Sequence, residues 1–218
     1  VTTFSGRDIS QAIIRVAAAL EDAADTLGEL DRQVGDGDLG ITATKIAGAL
    51  RELPDMDDTA DVGAELMRTA MAINKVASSS FGTLLAGALL GAGKAVRGAT
   101  TLSSGALCTM LEAADAALQE RGGAQPGDKT VIDVVHPAAA ALRSAQSEGA
   151  SGAAMALMMV NAARSGRDSV TPLRNRIGRA SWVGERTEGV VDPGTQAGVV
   201  ILEAIAGIEP EGTVSSGQ

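Results

Sequence analysis

Apolar residues recur at three- and four-residue steps along almost the whole chain, a period that admits amphipathic helices and leaves little room for a sheet. In the first segment Ile13, Ala17, Leu20, Ala24 and Leu27 make one such stripe. A second helix is expected to begin at Asp38, whose short carboxylate can cap the free N–H groups of the next turn. It runs to about Arg51 and stops before Pro54. A third carries Val62, Leu66, Ala70 and Ile73, and four more are expected over 79–96, 103–122, 131–147 and 152–165. An eighth, over 194–207, completes the pattern. The stretch 166–193 is rich in arginine and has little periodicity; a structureless segment of that length in a compact domain is functional or hides an element. The expectation is one all-α domain of about eight helices over 1–210, with 211–218 a disordered tail.

The apolar volume is built from small side chains. Of 218 residues, 27 are Gly and 40 are Ala, against two Phe, one Trp and no Tyr. Small residues let helices approach closely and Ala has the best helix propensity, whereas a sheet sandwich draws on aromatic and β-branched residues. One cysteine, Cys108, rules out an intramolecular disulfide framework and fits a reducing, cytoplasmic setting. No secretory leader is visible, because Arg7 and Asp8 stand where an apolar run would be needed. The segment 76–93 is uncharged between Lys75 and Lys94, but its serines, threonine and glycines make it a buried bundle helix rather than a membrane span.

A formal net charge of −9 argues against a nucleic-acid-binding surface. The charge is concentrated: residues 1–70 hold 14 acids against 6 bases. Within that third the string DRQVGDGDLG at 31–40 places Asp31, Asp36 and Asp38 within eight residues, with glycines that allow a sharp turn. Neighbouring carboxylates repel one another unless a cation is present, and an oxygen-only set suits a hard divalent ion such as Mg²⁺. The competing reading is a solvated Asp/Gly turn capped by Asp38. Gly35, Gly37 and Gly40 also satisfy the dinucleotide fingerprint, yet a helix precedes them and Asp36 and Asp38 would repel a pyrophosphate. A calcium loop fails as well, because its remaining acidic positions are missing.

Three other polar groups stand out. The SSSFGT string at 78–83 opens the fourth helix, and GDKT at 127–130 opens the sixth; each reads as a helix cap or as a phosphate site. GRASWVGER at 178–186, followed by DPG at 192–194, puts arginines in a glycine-punctuated loop where they can grip phosphates bidentately. His136, the single histidine, sits beside Pro137 in an apolar run and reads as structural. Cys108 reads as buried and inert. With no Ser/His/Asp set and no zinc spacing, the chemistry open to this chain is positioning and charge stabilisation, as in phosphoryl transfer.

Taken together, these strings resemble the nucleotide-binding L subunit of dihydroxyacetone kinases. The resemblance covers nearly the whole chain and rests on LDRQVGDGDLG at 30–40, FGT at 81–83, RGGAQPGDKT at 121–130, and GRASWVGER through DPG at 178–194. It implies an antiparallel barrel of eight helices that binds Mg-ATP or Mg-ADP at one end, with the metal on Asp31, Asp36 and Asp38. Nucleotide contacts would fall on Leu39, Gly40, Ile41 and Thr42, on Ala77 and Ser78, on Gly122 and Val131 around the adenine, on Arg179, and on Asp192, Pro193 and Gly194. Asp31, Asp36, Asp38 and Arg179 would be the residues of the transfer itself. The partner implied is a separate sugar-binding K subunit, with a phosphotransferase-system protein as a further phosphoryl donor and a homodimer as a possible assembly.

Two positions depart from the family pattern. Leu39 stands where His is common, and VASSS at 76–80 replaces a Gly-x-Ser-Gly turn. These changes leave the metal triad intact and touch the phosphate and nucleotide contacts. Two explanations stay open: a branch acting on another ketose, such as a tetrulose, or a non-catalytic module that senses nucleotide or carries an apolar ligand.

Overall fold

The computed structural model describes residues 3–210, so the tail expected at 211–218 lies outside the described residues. Its first stripe bends. Helix α1 (Gly6–Asp22) is followed at Ala23 by α2 (Ala24–Val34), and the backbone stays near-helical through the junction. Ala23 N–H still reaches Ala19 O and Leu27 N–H reaches Ala23 O, so the two form one kinked stave. Gly40 packs into the bend: a Cβ there would stand 2.4 Å from Ala24 O. The chain continues through α3 (Leu39–Arg51), α4 (Val62–Val76), α5 (Ser80–Ala95), α6 (Ser104–Gly122), α7 (Ile132–Ser147), α8 (Gly152–Val170) and α9 (Pro193–Ala206).

Helix starts carry their own signals. Asp8 accepts the Ser5 N–H at the head of α1, Asp61 caps α4, Ser79 caps α5, Ser103 caps α6, Ser151 caps α8 and Asp192 caps α9. Each oxygen satisfies a backbone donor that the helix leaves unpaired. Helix α8 runs to Val170, past the end expected at 165. Its second half looks polar because those side chains face α9: Arg164 pairs with the buried Glu203, and Arg167 donates to Gln196. A paired buried charge hides a helical face from an apolar count.

Short connections between staves make neighbours antiparallel. The kinked first stave packs on α3, each later helix packs on the next, and α9 returns to pack on α1 and α2. The result is the expected all-α barrel of eight staves. Two three-residue strands, β1 (Thr3–Ser5) and β2 (Thr101–Ser103), pair antiparallel at its edge with Phe4 opposite Leu102, too short to leave a period in the sequence. Small residues set the spacing where staves touch most closely. A Cβ on Gly63 would stand 2.4 Å from Gly93 O, so α4 and α5 meet backbone to backbone. Cys108 is buried against Leu142 O, and burial pushes its thiol pKa up, in keeping with an inert residue. Among the described residues no helix is long and apolar enough to cross a membrane.

Candidate functional site

Alternate staves begin at the same end of an up-and-down barrel, so α3, α5, α7 and α9 all start together. Four positive dipole ends therefore face one region, together with those first-turn N–H groups that the caps do not take up. The turn 35–38 enters this region from the end of α2. Gly37 takes a left-handed backbone (φ +79°), which permits the tight return.

That turn gathers the three expected carboxylates, with one oxygen of each of Asp31, Asp36 and Asp38 within 4.8 Å of the others. Asp38 stands at the N-cap position of α3, but its backbone is helical and its side chain caps nothing. Instead Asp31, in the last turn of α2, accepts the Leu39 N–H at 3.1 Å. The expected cap is therefore corrected from Asp38 to Asp31, which leaves the Asp38 carboxylate free for another partner. Burial pushes the Asp31 carboxyl pKa up, and the charges of Asp36 and Asp38 push the same way, against the N–H groups of Leu39 and Asp38. The carboxylates already attract a cation of the protein itself: Arg179 Nη1 pairs with Asp36 and lies 3.5 Å from Asp38 Oδ2. A set of oxygen donors that draws in a guanidinium fits a hard divalent ion by charge and by donor type.

The remaining expected residues lie around this centre. Leu39, Gly40, Ile41 and Thr42 form the first turn of α3, with Leu39, Gly40 and Thr42 buried and Ile41 exposed. Thr42 Oγ1 is 3.3 Å from Ser79 Oγ, which ties the start of α3 to the start of α5. Ala77 is the buried end of α4, and Ser78 beside it is exposed. Across the barrel mouth Gly194 lies near Val131, where a Cβ would stand 4.0 Å from Val131 N. Gly122 ends α6 against Leu84, and Val131 joins an apolar cluster with Ile132 and Val135, onto which Phe81, Leu84 and Ile177 pack. Asp192 caps α9 from a buried position that raises its carboxyl pKa, opposed by the Thr195 N–H, Asn175 and Lys129.

Two residues here had no clear reading in the sequence. Lys129, in the GDKT string, is neither a cap nor an exposed phosphate ligand. It is fully buried, and its ammonium donates to the carbonyls of Thr171, Leu173 and Thr187. Asn175, also buried, donates from Nδ2 to Lys129 O and Asp192 Oδ2. No local pattern announces either contact. The irregular stretch contains a short 3-10 segment (Arg179–Thr187), broken at Gly184, that carries Arg179 out to the acidic turn. His136 stays outside the site: its Nδ1 is 2.8 Å from Asp115 Oδ2, on the α6–α7 face.

A family model described as the DAK2 domain matches residues 33–207. The chain is 29% identical over 178 residues to the ADP-binding subunit DhaL of the PEP-dependent dihydroxyacetone kinase of Escherichia coli (strain K12), covering 81% of this chain and 84% of that subunit. It is 32% identical over 206 residues to D-erythrulose kinase of Mycolicibacterium smegmatis, covering 92% of this chain and 35% of that enzyme. The crystal structure of the dihydroxyacetone kinase from C. freundii in complex with AMP-PNP and Mg²⁺ matches with a TM-score of 0.66 and 26% identity, over 91% of this chain and 33% of that one. The chain thus spans about a third of each of the two longer kinases.

Proposed function

The chain belongs to the DAK2 domain family, and from that membership we propose that it is the nucleotide-binding, phosphoryl-transferring subunit of a Mg²⁺-dependent kinase of dihydroxyacetone or a related short ketose. One observation carries this reading: three carboxylates and an arginine meet at the barrel end where four helices begin. Asp31, Asp36 and Asp38 would hold the cation, which when bound supplies charge neutralisation on the transferring phosphates. Arg179 would exchange its carboxylate partners for phosphate oxygens, for which its paired donors are suited. Backbone N–H groups from Leu39 to Thr42, with Ala77 and Ser78, would line the phosphate path. Gly122 and Val131 would bound the adenine, and Asp192, Pro193 and Gly194 would close that side at the head of α9.

The sugar has no evident holder in this chain. The single histidine, His136, lies away from the mouth beside Asp115, so the reading includes a separate sugar-binding K subunit. The relative in E. coli is named as PEP-dependent and ADP-binding, which supports a form in which bound ADP is rephosphorylated by a phosphotransferase protein. The match to D-erythrulose kinase supports a tetrulose among the acceptors to be tested. A cytoplasmic setting accords with the single buried thiol.

Calorimetry with Mg-ADP and Mg-ATP tests the nucleotide site, and absence of binding overturns the reading. The purified chain should bind nucleotide yet phosphorylate neither dihydroxyacetone nor erythrulose until a K subunit is added. Robust turnover by the chain alone would remove the partner from the scheme. ADP that survives dialysis on the protein favours the phosphotransferase form, and free exchange with ATP favours the ordinary kinase.

A further inference from the structure

The segment that presents Arg179 makes little core of its own. Within the 3-10 stretch Thr187 is the buried residue, and Trp182 is 87% exposed. Something else must hold this segment in place, because ordering a polar loop costs conformational entropy that the packing of Ile177 on the Val131 cluster offsets only in part. Lys129 meets that need from the connection between α6 and α7. All three donors of its ammonium are used, at 2.8 Å to Thr171 O, 2.8 Å to Leu173 O and 2.6 Å to Thr187 O. The first two carbonyls lie where the segment leaves α8, and the third lies where the 3-10 stretch ends. One buried cation therefore grips both ends of the excursion that carries Arg179.

A second buried residue closes the same base. The Asn175 N–H donates to Thr187 Oγ1 at 3.1 Å, and its Nδ2 donates to Lys129 O at 2.9 Å and to Asp192 Oδ2 at 2.8 Å. Gly189 N–H reaches Thr171 O, and Arg176 N–H reaches Asp128 O. The arrangement is costly. Lys129 holds a left-handed backbone (φ +62°), uncommon for a residue with a side chain. Burial also lowers its ammonium pKa, with Asp192 and Glu188 opposing that shift. Apolar packing would often serve stability as well as such a buried charge does, so stability alone does not account for it.

We propose that Lys129, with Asn175, is a positioning residue for the nucleotide phosphates: its buried ammonium holds both ends of the 171–187 segment by their carbonyls and so fixes where Arg179 reaches. This rests on the reading of Arg179 as a phosphate contact. The staple binds no ligand itself. It acts by removing the freedom of a surface segment before the nucleotide arrives, so that the cost of ordering the arginine is met by the fold.

The test is a double-mutant cycle on Mg-ADP affinity between Lys129→Met and Arg179→Ala, with tryptic cleavage inside 174–186 as a second readout. Lys129→Met should weaken Mg-ADP about 10-fold or more when Arg179 is present and less than about 2-fold when it is Ala, as coupled groups do. Cleavage within the segment should accelerate while the helical circular dichroism is kept. Equal losses in both backgrounds, or none in either, overturn the proposal. Should Lys129→Met not fold, Asn175→Ala is read by the same two measurements, and unchanged affinity with unchanged cleavage overturns it equally. A wild-type chain that binds no Mg-ADP sinks the nucleotide reading; wild-type binding with an indifferent Lys129→Met sinks the staple alone.

Discussion

The two loops that meet at the barrel mouth are held in opposite ways. The acidic turn is a few residues between two helices, fixed by its brevity and by the Asp31 bond to Leu39 N–H. Its carboxylates crowd within 4.8 Å, and the guanidinium that answers Asp36 and Asp38 comes from elsewhere in the chain. The arginine loop is long and exposed, yet its base is locked by a buried ammonium and a buried amide. One loop thus has its shape and lacks its counter-charge, while the other uses an internal charge to obtain a shape. A binding site can be prepared from both sides at once when the charge one loop lacks is carried by the loop that the other charge holds still.

If this contrast is right, the acidic turn should be alterable without harm to the fold. Replacing Asp36 or Asp38 by Asn should weaken Mg-ADP by about 100-fold or more, beyond the usual cost of disturbing groups outside the coordination shell. The metal-free melting temperature should hold or rise as mutual repulsion is relieved. Calorimetry and thermal melts check both, and undiminished affinity in the two variants would reject the metal assignment.

The next effect in size belongs to Arg179. Hydrogen bonds to a charged group contribute about 1.5–3 kcal/mol, so Arg179→Ala should weaken ADP roughly 10- to 150-fold. Arg179→Lys should recover part of that loss, because an ammonium supplies a point charge without the paired donors. Arg174 and Arg176 are internal controls: they make surface pairs with Glu185 and Glu188 and with Asp128. Exposed pairs of this kind are worth up to about 1 kcal/mol, so their Ala variants should change affinity by less than about 5-fold. Similar losses at all three would mean that the loop is a basic surface and nothing more.

The last effect sharpens the contrast in stability and leaves affinity aside. Asp192→Ala removes the cap of α9, worth about 1 kcal/mol, and takes one of its two acceptors from the buried Asn175 amide. For a chain of this size a further 1–3 kcal/mol for that amide puts the fall in melting temperature at roughly 5–10 °C. The measurement needs no ligand. A melting temperature as indifferent to Asp192→Ala as to Asp36→Asn would erase the distinction between the loops.

The same contrast explains what could be read in advance. Asp31, Asp36 and Asp38 lie within one string, so their meeting needed no knowledge of the fold. The Ser79 cap, within the 78–83 string, was legible for the same reason, since a cap acts within three residues. Asp38 misled because capping depends on backbone angles that the string does not declare, and the donor at Leu39 went to Asp31. The full length of α8 was hidden because Arg164 and Arg167 break an apolar period while packing inward. Lys129 was least legible of all: its three acceptors are carbonyls 42 to 58 residues away, which carry no side-chain signature.

The return of α9 to α1 makes the barrel a ring with a seam. Arg15 donates from Nε to Ala204 O at 2.9 Å and from a second nitrogen to Ile205 O at 3.1 Å, across 190 residues of sequence. Every other stave docks on its predecessor, so this is the joint that must wait for the rest of the chain. Arg15 is nine residues into α1, about 14 Å along its axis, so a short linker of several residues would bridge the two ends. A circular permutant joined there and opened in the exposed turn at 148–151 would keep all the same neighbours. The old seam would then be local, but the joint between α7 and α8, the most extensively packed pair of staves, would span the whole permuted chain, so the permutant should fold more slowly than the original.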